Sequence, residues 1–178
     1  MSVHQLLANA AQAFPKTVAV RHVGHAREWR PFCDRVARRA ASLRAAGVAT
    51  GDRVAVVAAN VPEHLEALFA VLWAGAVLVP LNTRLAAAEQ SYILEHSGCA
   101  TLLHDDRNAE RAAQLQAARP ALSATRLESI EFWDSDRDSL SGLIPWPFSP
   151  VAPRTAAAIL YTGGTTGLPK CVVGQLDA

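Results

Sequence analysis

Apolar residues recur along this chain first at helical and then at strand spacing. After Ser2, a candidate N-cap, Leu6, Leu7, Ala10 and Phe14 return at intervals of about three and four until Pro15 ends the run, which predicts a short amphipathic helix. Residues 17–23 and 26–30 are β-prone, and Gly24-His25 between them offers positive φ, so a tight hairpin is expected. Phe32, Val36, Ala40 and Leu43 mark one face of a second helix stopped by Gly47. Its other face carries Arg35, Arg38, Arg39 and Arg44, read as a solvated face because no aromatic residues interleave with the charges.

A strand–helix–strand unit follows. Residues 54–58 read as a buried strand and 76–79 as a second one. Between them Leu65, Leu68, Phe69 and Leu72 repeat at helical spacing until Gly75; Asn60 and Glu63 suggest a capping box, with Pro62 in the first turn. A parallel pair with a covering helix implies an α/β layer architecture and a right-handed crossover. Further along, 86–96 reads as helix, 100–104 as strand, 108–119 as an alanine-rich helix and 156–161 as strand. The interval 134–155 changes character, with Asp134, Asp136 and Asp138 followed by Pro145, Pro147, Pro150 and Pro153. It is read as an acidic, proline-rich linker whose Trp146 and Phe148 pack on the preceding domain. The expected organisation is an N-terminal subdomain over 1–133, the linker over 134–155, and a strand with a binding loop over 156–178.

Composition narrows the classes. With 178 residues and 17 basic against 16 acidic side chains, the formal charge is +1, which argues against a polycationic nucleic-acid binder. The 51% hydrophobic content suits a globular chain, although 35 alanines inflate it. Cys33, Cys99 and Cys171 are odd in number and widely spaced, which disfavours a disulfide framework or a zinc knuckle and fits a reducing cytosol. The N-terminus lacks a basic leader, and the apolar run over 65–81 is broken by Gly75 and Pro80, so neither secretion nor a membrane span is expected. His104-Asp105-Asp106 is read as a helix cap rather than a metal or acid–base cluster.

The distinctive chemistry lies in Thr162-Gly-Gly-Thr-Thr-Gly-Leu-Pro-Lys170. Gly163, Gly164 and Gly167 let successive N–H groups turn into one concavity; Thr162, Thr165 and Thr166 add hydroxyls, and Lys170 adds a mobile positive charge. The set suits a polyphosphate. A Walker loop is excluded because Lys170 follows Pro169 and precedes Cys171, and the dinucleotide fingerprint is excluded by the glycine spacing.

These residues resemble the adenylate-forming ligases, the family of acyl-CoA and aryl-CoA synthetases, luciferases and the adenylation domains of peptide synthetases. Thr162 to Lys170 is similar to their phosphate loop, Thr-Ser-Gly-Thr-Thr-Gly-x-Pro-Lys, with Gly163 in place of the usual serine. LRAAGVATGDRVAVV over 43–57 is similar to the family's Gly-Asp-Arg-Val segment, and 60–85 to its N-x-P-E helix followed by A-G-A-V-x-V-P-L-N. The resemblance implies an incomplete α/β domain, the N-terminal portion of the family's large domain, with a mainly parallel sheet flanked by helices, and a two-step reaction. A carboxylic acid attacks ATP to give an acyl-adenylate and pyrophosphate; the thiol of coenzyme A then takes the acyl group.

The resemblance further assigns phosphate binding to Thr162, Gly163, Gly164, Thr165, Thr166, Gly167 and Lys170, with magnesium near Thr166. Cys171 is expected to pack rather than to act as a nucleophile. The family's adenine, ribose and C-terminal lysine motifs are not found in these 178 residues. The chain is therefore expected to be an incomplete N-terminal portion with no catalytic residue of its own. Its last strand is expected to pair with strands outside the chain, leaving an exposed sheet edge and a tendency to self-associate or to bind a complementing chain. The competing readings are a non-enzymatic nucleotide-binding remnant, which would bind ATP weakly or pack against a partner, and an independent ATPase, which would need turnover abolished by Lys170→Ala.

Overall fold

The computed structural model describes residues 3–130, 133, 135, 138–147, 155–162 and 170–176. Helix α1 (Val3–Ala13) leads into the hairpin β1 (Val18–His22) and β2 (His25–Glu28), then α2 (Trp29–Ala45). The hairpin turns on Val23 and Gly24, both at positive φ (35° and 81°), the conformation that makes a two-residue turn match strand twist. The second β-prone run is shorter than expected: Trp29 and Arg30 already belong to α2. In α1 the buried face is Leu7 and Ala11, while Leu6 and Phe14 are exposed, so the helix is rotated from the expected stripe.

Six strands form the main sheet. β3 (Arg53–Val57), β4 (Val77–Pro80), β5 (Thr101–His104), β6 (Ser123–Arg126), β7 (Thr155–Thr162) and β8 (Lys170–Leu176) lie in the order β6-β5-β3-β4-β7-β8. All neighbours are parallel except β7 and β8, which form an antiparallel hairpin. Side chains alternate across the sheet because successive strand residues point to opposite faces. Val54, Val56, Leu78 and Leu103 face α1, α2 and α3 (Pro62–Trp73); Ala55, Val57, Val79 and Leu102 face α4 (Ala87–Ser97) and α5 (Ala109–Ala118). Helices thus cover both faces of a mostly parallel sheet, the layered α/β architecture anticipated from the sequence.

Several local expectations change. The capping box at Asn60 and Glu63 does not form: the N-cap of α3 is Val61, which makes no side-chain cap bond, and Pro62 opens the helix. Its deeply buried residues are Glu66, Ala67, Ala70 and Val71, whereas Leu65 is exposed and Leu68, Phe69 and Leu72 are half-buried. The small alanines let α3 lie close to its neighbours, so the leucine stripe rides on the flank of that contact. Asp105 does cap, its Oδ1 accepting from the Asn108 backbone N–H at 3.0 Å.

The arginine face of α2 is not solvated. Arg35 and Arg39 are only 4% and 2% exposed. Their Nε atoms donate to the two oxygens of Glu66, at 2.5 and 2.9 Å, and their remaining donors reach Asp138 and Glu128 respectively. The guanidinium of Arg35 also lies 4.5 Å from the Trp133 ring centre. The described part of the acidic interval is held onto this layer. Arg38 bonds the carbonyl of Ser141, the Trp146 N–H donates to Ala37 O at 2.9 Å, and Trp73 Nε1 donates to Trp146 O at 3.0 Å. Phe148 and the prolines at 150 and 153 lie outside the described residues.

Candidate functional site

The glycine–threonine segment springs from the β7–β8 hairpin. Pairing runs from Thr155↔Leu176 to Thr162↔Lys170, so the first and last of the sequence-assigned residues face each other at the end of the stem. The Thr162 hydroxyl lies 3.4 Å from the Lys170 carbonyl oxygen, the geometry of a weak bond that an incoming acceptor can displace. Both side chains are exposed, and Lys170 makes no ion pair among the described residues. An ammonium with no ion pair among the described residues, beside a weakly bonded hydroxyl, suits an anion. Gly163, Gly164, Thr165, Thr166 and Gly167, with the magnesium assignment to Thr166, lie outside the described residues.

Two sequence expectations around the stem are corrected. β7 does not wait for strands outside the chain: it pairs in parallel with β4 through Leu78↔Ala158 and with β8 on its other side. The chain after Lys170 doubles back as an edge strand, so Cys171 is exposed rather than packed, opposite Tyr161 in the ladder.

Sequence reasoning missed what lies behind the stem. The Tyr161 hydroxyl is 2.7 Å from Nδ1 of His96, near the C-terminal end of α4. The two rings meet edge to face at 5.8 Å and 84°, and Tyr92 covers His96 from one turn earlier at 5.5 Å. Partial burial, with Cys171 and Cys99 nearby, pushes the Tyr161 phenol above its ordinary pKa, so it is a hydrogen-bond donor throughout the physiological range. The only available signal was a pair of aromatic residues four apart in 86–96, which periodicity alone assigns to packing.

A second polar feature lies at the carboxyl ends of β3 and β5. A cavity of about 310 Å³ there is lined by His22, Glu63, Asp105 and Asp106 among others. Glu63 is buried, and its Oε2 has no hydrogen-bond partner among the described residues. Burial pushes its carboxyl pKa up; Asp105 and Glu66 add to that, against its own backbone N–H and His22. His64 moves the other way, burial lowering its pKa while its Nδ1 lies 3.1 Å from Ala59 O. Among the described residues no group of three or more His, Cys, Asp or Glu is placed to hold a metal ion, and no helix is long and apolar enough to cross a membrane.

Sheet order and helices on both faces define the class: an open, mostly parallel α/β protein with one antiparallel edge. Within that class the chain belongs to the AMP-binding enzyme family, whose family model matches residues 7–176. It is 41% identical over 160 residues to a feruloyl-CoA synthase of an Amycolatopsis species, covering 90% of this chain and 30% of the relative. It is 39% identical over 163 residues to the fatty acid–acyl-carrier-protein ligase ScoC of Streptomyces coeruleorubidus, covering 92% and 31%. Among solved structures, MbtA of Mycobacterium smegmatis superposes with a TM-score of 0.84 at 28% identity, covering 99% of this chain and 34% of that one. The N-terminal domain of FACL13 from Mycobacterium tuberculosis, solved with an inhibitor, gives 0.82 at 27% identity, covering 98% and 44%. The chain spans about a third of the length of the curated relatives it matches.

Proposed function

We propose that the chain is the N-terminal part of an ATP-dependent carboxylate ligase and contributes its phosphate-holding loop. The observation that carries this reading is the stem itself: a family-type glycine–threonine segment set between two paired strands, with Lys170 at its exit making no ion pair among the described residues. Thr162, Thr165, Thr166 and the backbone N–H groups of Gly163, Gly164 and Gly167 hold the β- and γ-phosphates of ATP, and Lys170 offsets their charge. Thr166 would hold a magnesium ion, which would supply further neutralisation of the pyrophosphate charge. Gly163 keeps a backbone donor while giving up the hydroxyl of the family's serine.

The substrate in this reading is a small carboxylic acid of the aryl or fatty class, in keeping with the relatives named for ferulate and for fatty acids. Coenzyme A takes the acyl group. Residues 1–133 act as the N-terminal subdomain, 134–155 as the connection, and 156–178 as the loop-bearing strands. The 178 residues alone bind phosphate without turning it over, which accords with their spanning about a third of the relatives' length.

Calorimetric titration of inorganic pyrophosphate and of ATP with magnesium tests this. Saturable binding is expected, weakened about 10- to 100-fold by Lys170→Ala, the loss of one charge-assisted bond. Absence of binding, or binding indifferent to Lys170→Ala, overturns the assignment. Acid-dependent exchange of pyrophosphate into ATP by this chain alone would overturn its incompleteness.

A further inference from the structure

The β7–β8 hairpin is joined to the rest of the sheet by little backbone. Leu78↔Ala158 is the one register pair between β4 and β7, and β7 is irregular between Ala156 and Ala158. A ladder of one pair fixes the backbone of β7 at that point; beyond it β7 runs alongside β4 and is held by side-chain contacts. Ala158 and Ile159 pack against the two core layers close to this pair, and Tyr161 packs against the second layer further along. Tyr161 stands three residues further along, next to Thr162, and its side chain is tied to α4 by the 2.7 Å bond to His96 Nδ1 and by the edge-to-face ring contact. Tyr92 backs the imidazole on the same helix.

We propose that His96 and Tyr161 are positioning residues for the phosphate segment: their hydrogen bond is a second anchor, away from the backbone pair, that fixes where β7 delivers the chain at Thr162. The bond joins the phenol oxygen to Nδ1 of the imidazole, and neither group touches the phosphate. The inference rests on the reading of 162–170 as the phosphate-holding segment for its purpose, but not for its physical test. A strand end held by one backbone pair and one side-chain bond loosens locally when that bond is cut, while the sheet behind it is untouched.

Hydrogen exchange on the full 178-residue chain reads this directly. In His96→Ala, amides of 157–162 and 170–175 should exchange about tenfold faster than in the wild type, with β3, β4 and α2 unchanged. Tyr161→Phe, which removes one oxygen and keeps the ring packing, should accelerate the same amides about fivefold and guards against a His96→Ala chain that fails to fold. His96→Asn places an amide oxygen near the position of Nδ1 and should restore most of the protection. Exchange within twofold of wild type in both variants, or acceleration spread evenly over the whole sheet, overturns the anchor.

Pyrophosphate titration of the same proteins separates the two ideas. If wild type binds, Tyr161→Phe should weaken binding several-fold, and an unchanged affinity overturns the positioning role. If wild type does not bind, the phosphate assignment and the positioning role built on it both fall, and the exchange data decide whether the staple holds the hairpin.

Discussion

Glu63 and Glu66 stand one turn apart on α3, both buried, in opposite electrostatic situations. Glu66 is fully enclosed; burial raises its pKa, but Arg39 and Arg35 pull against that and bond both of its oxygens. Glu63 has an orphan oxygen and acidic neighbours. Glu66→Gln leaves two buried guanidiniums short of a counter-charge and should destabilise by about 3–5 kcal/mol in urea denaturation. Glu63→Gln should do the reverse. Its folded-state pKa is raised, so the folded chain holds the proton more tightly than the unfolded one; the stability from this group is full at low pH and lost as pH rises through the folded value. The glutamine variant should melt about 2–4 °C higher at pH 8. That gain should vanish by pH 4, below the ordinary carboxyl value of 4.5. An equal gain at both pH values would show that charge is not the cause. None of this was visible in the sequence, because the partners of Arg39 are 27 and 89 residues away and charge spacing within α2 carries no sign of them.

At the scale of elements, residues that impose a backbone state were legible and those that choose between packing faces were not. Gly24 marked the hairpin and Gly47 and Gly75 the ends of α2 and α3; Gly98, which was not read from the sequence, stops α4, and Gly47 and Gly98 stand at φ of 92° and 68°. The parallel strands β3, β4 and β5 stood out as apolar runs because helices bury both their faces. β6 has the sequence Ser-Ala-Thr-Arg and no apolar alternation, so it was missed. The phase of α3 was misread because most of its positions are apolar; periodicity then gives the repeat but not which stripe meets the core, and Glu66 sits within that stripe. The two stop glycines offer a test of what surrounds them. A side chain at Gly47 would meet open space, whereas a Cβ at Gly98 would lie 3.1 Å from Nη2 of Arg53. That guanidinium bonds the carbonyls of Ser97 and Gly98, tying the end of α4 to the start of β3. Gly47→Ala should therefore cost about 1 kcal/mol from backbone strain alone, and Gly98→Ala measurably more. Equal costs in urea denaturation would mean that Arg53 yields freely and that its two bonds contribute nothing.

For the whole molecule, the candidate site was legible as a string of residues but not as an object, since its stem, edge strand and staple come from pairings that no local pattern encodes. The fold exposes the two ends of one sheet very differently. β6 closes one edge with polar residues and Arg126, which binds Asp106 at 2.7 Å. β8 closes the other with Val172 and Val173, each about half exposed, and Leu160 pairs with Val172 to add to the apolar surface. An edge strand offers unpaired N–H and C=O groups, and past Lys170 the side chains of β8 carry no charge to protect that template. The 178-residue chain should therefore self-associate through β8 in a concentration-dependent way. Val172→Lys, on the exposed face opposite Leu160 and away from the core contacts of Ile159, should shift the association midpoint to at least about fivefold higher concentration in sedimentation equilibrium. That shift, about 1 kcal/mol, is the order expected for burying and charging one edge residue. Thr125→Lys on the β6 edge should leave association unchanged. If the two substitutions act alike, association is governed by net charge rather than by the β8 edge, and the asymmetry of the sheet plays no part in what the chain binds.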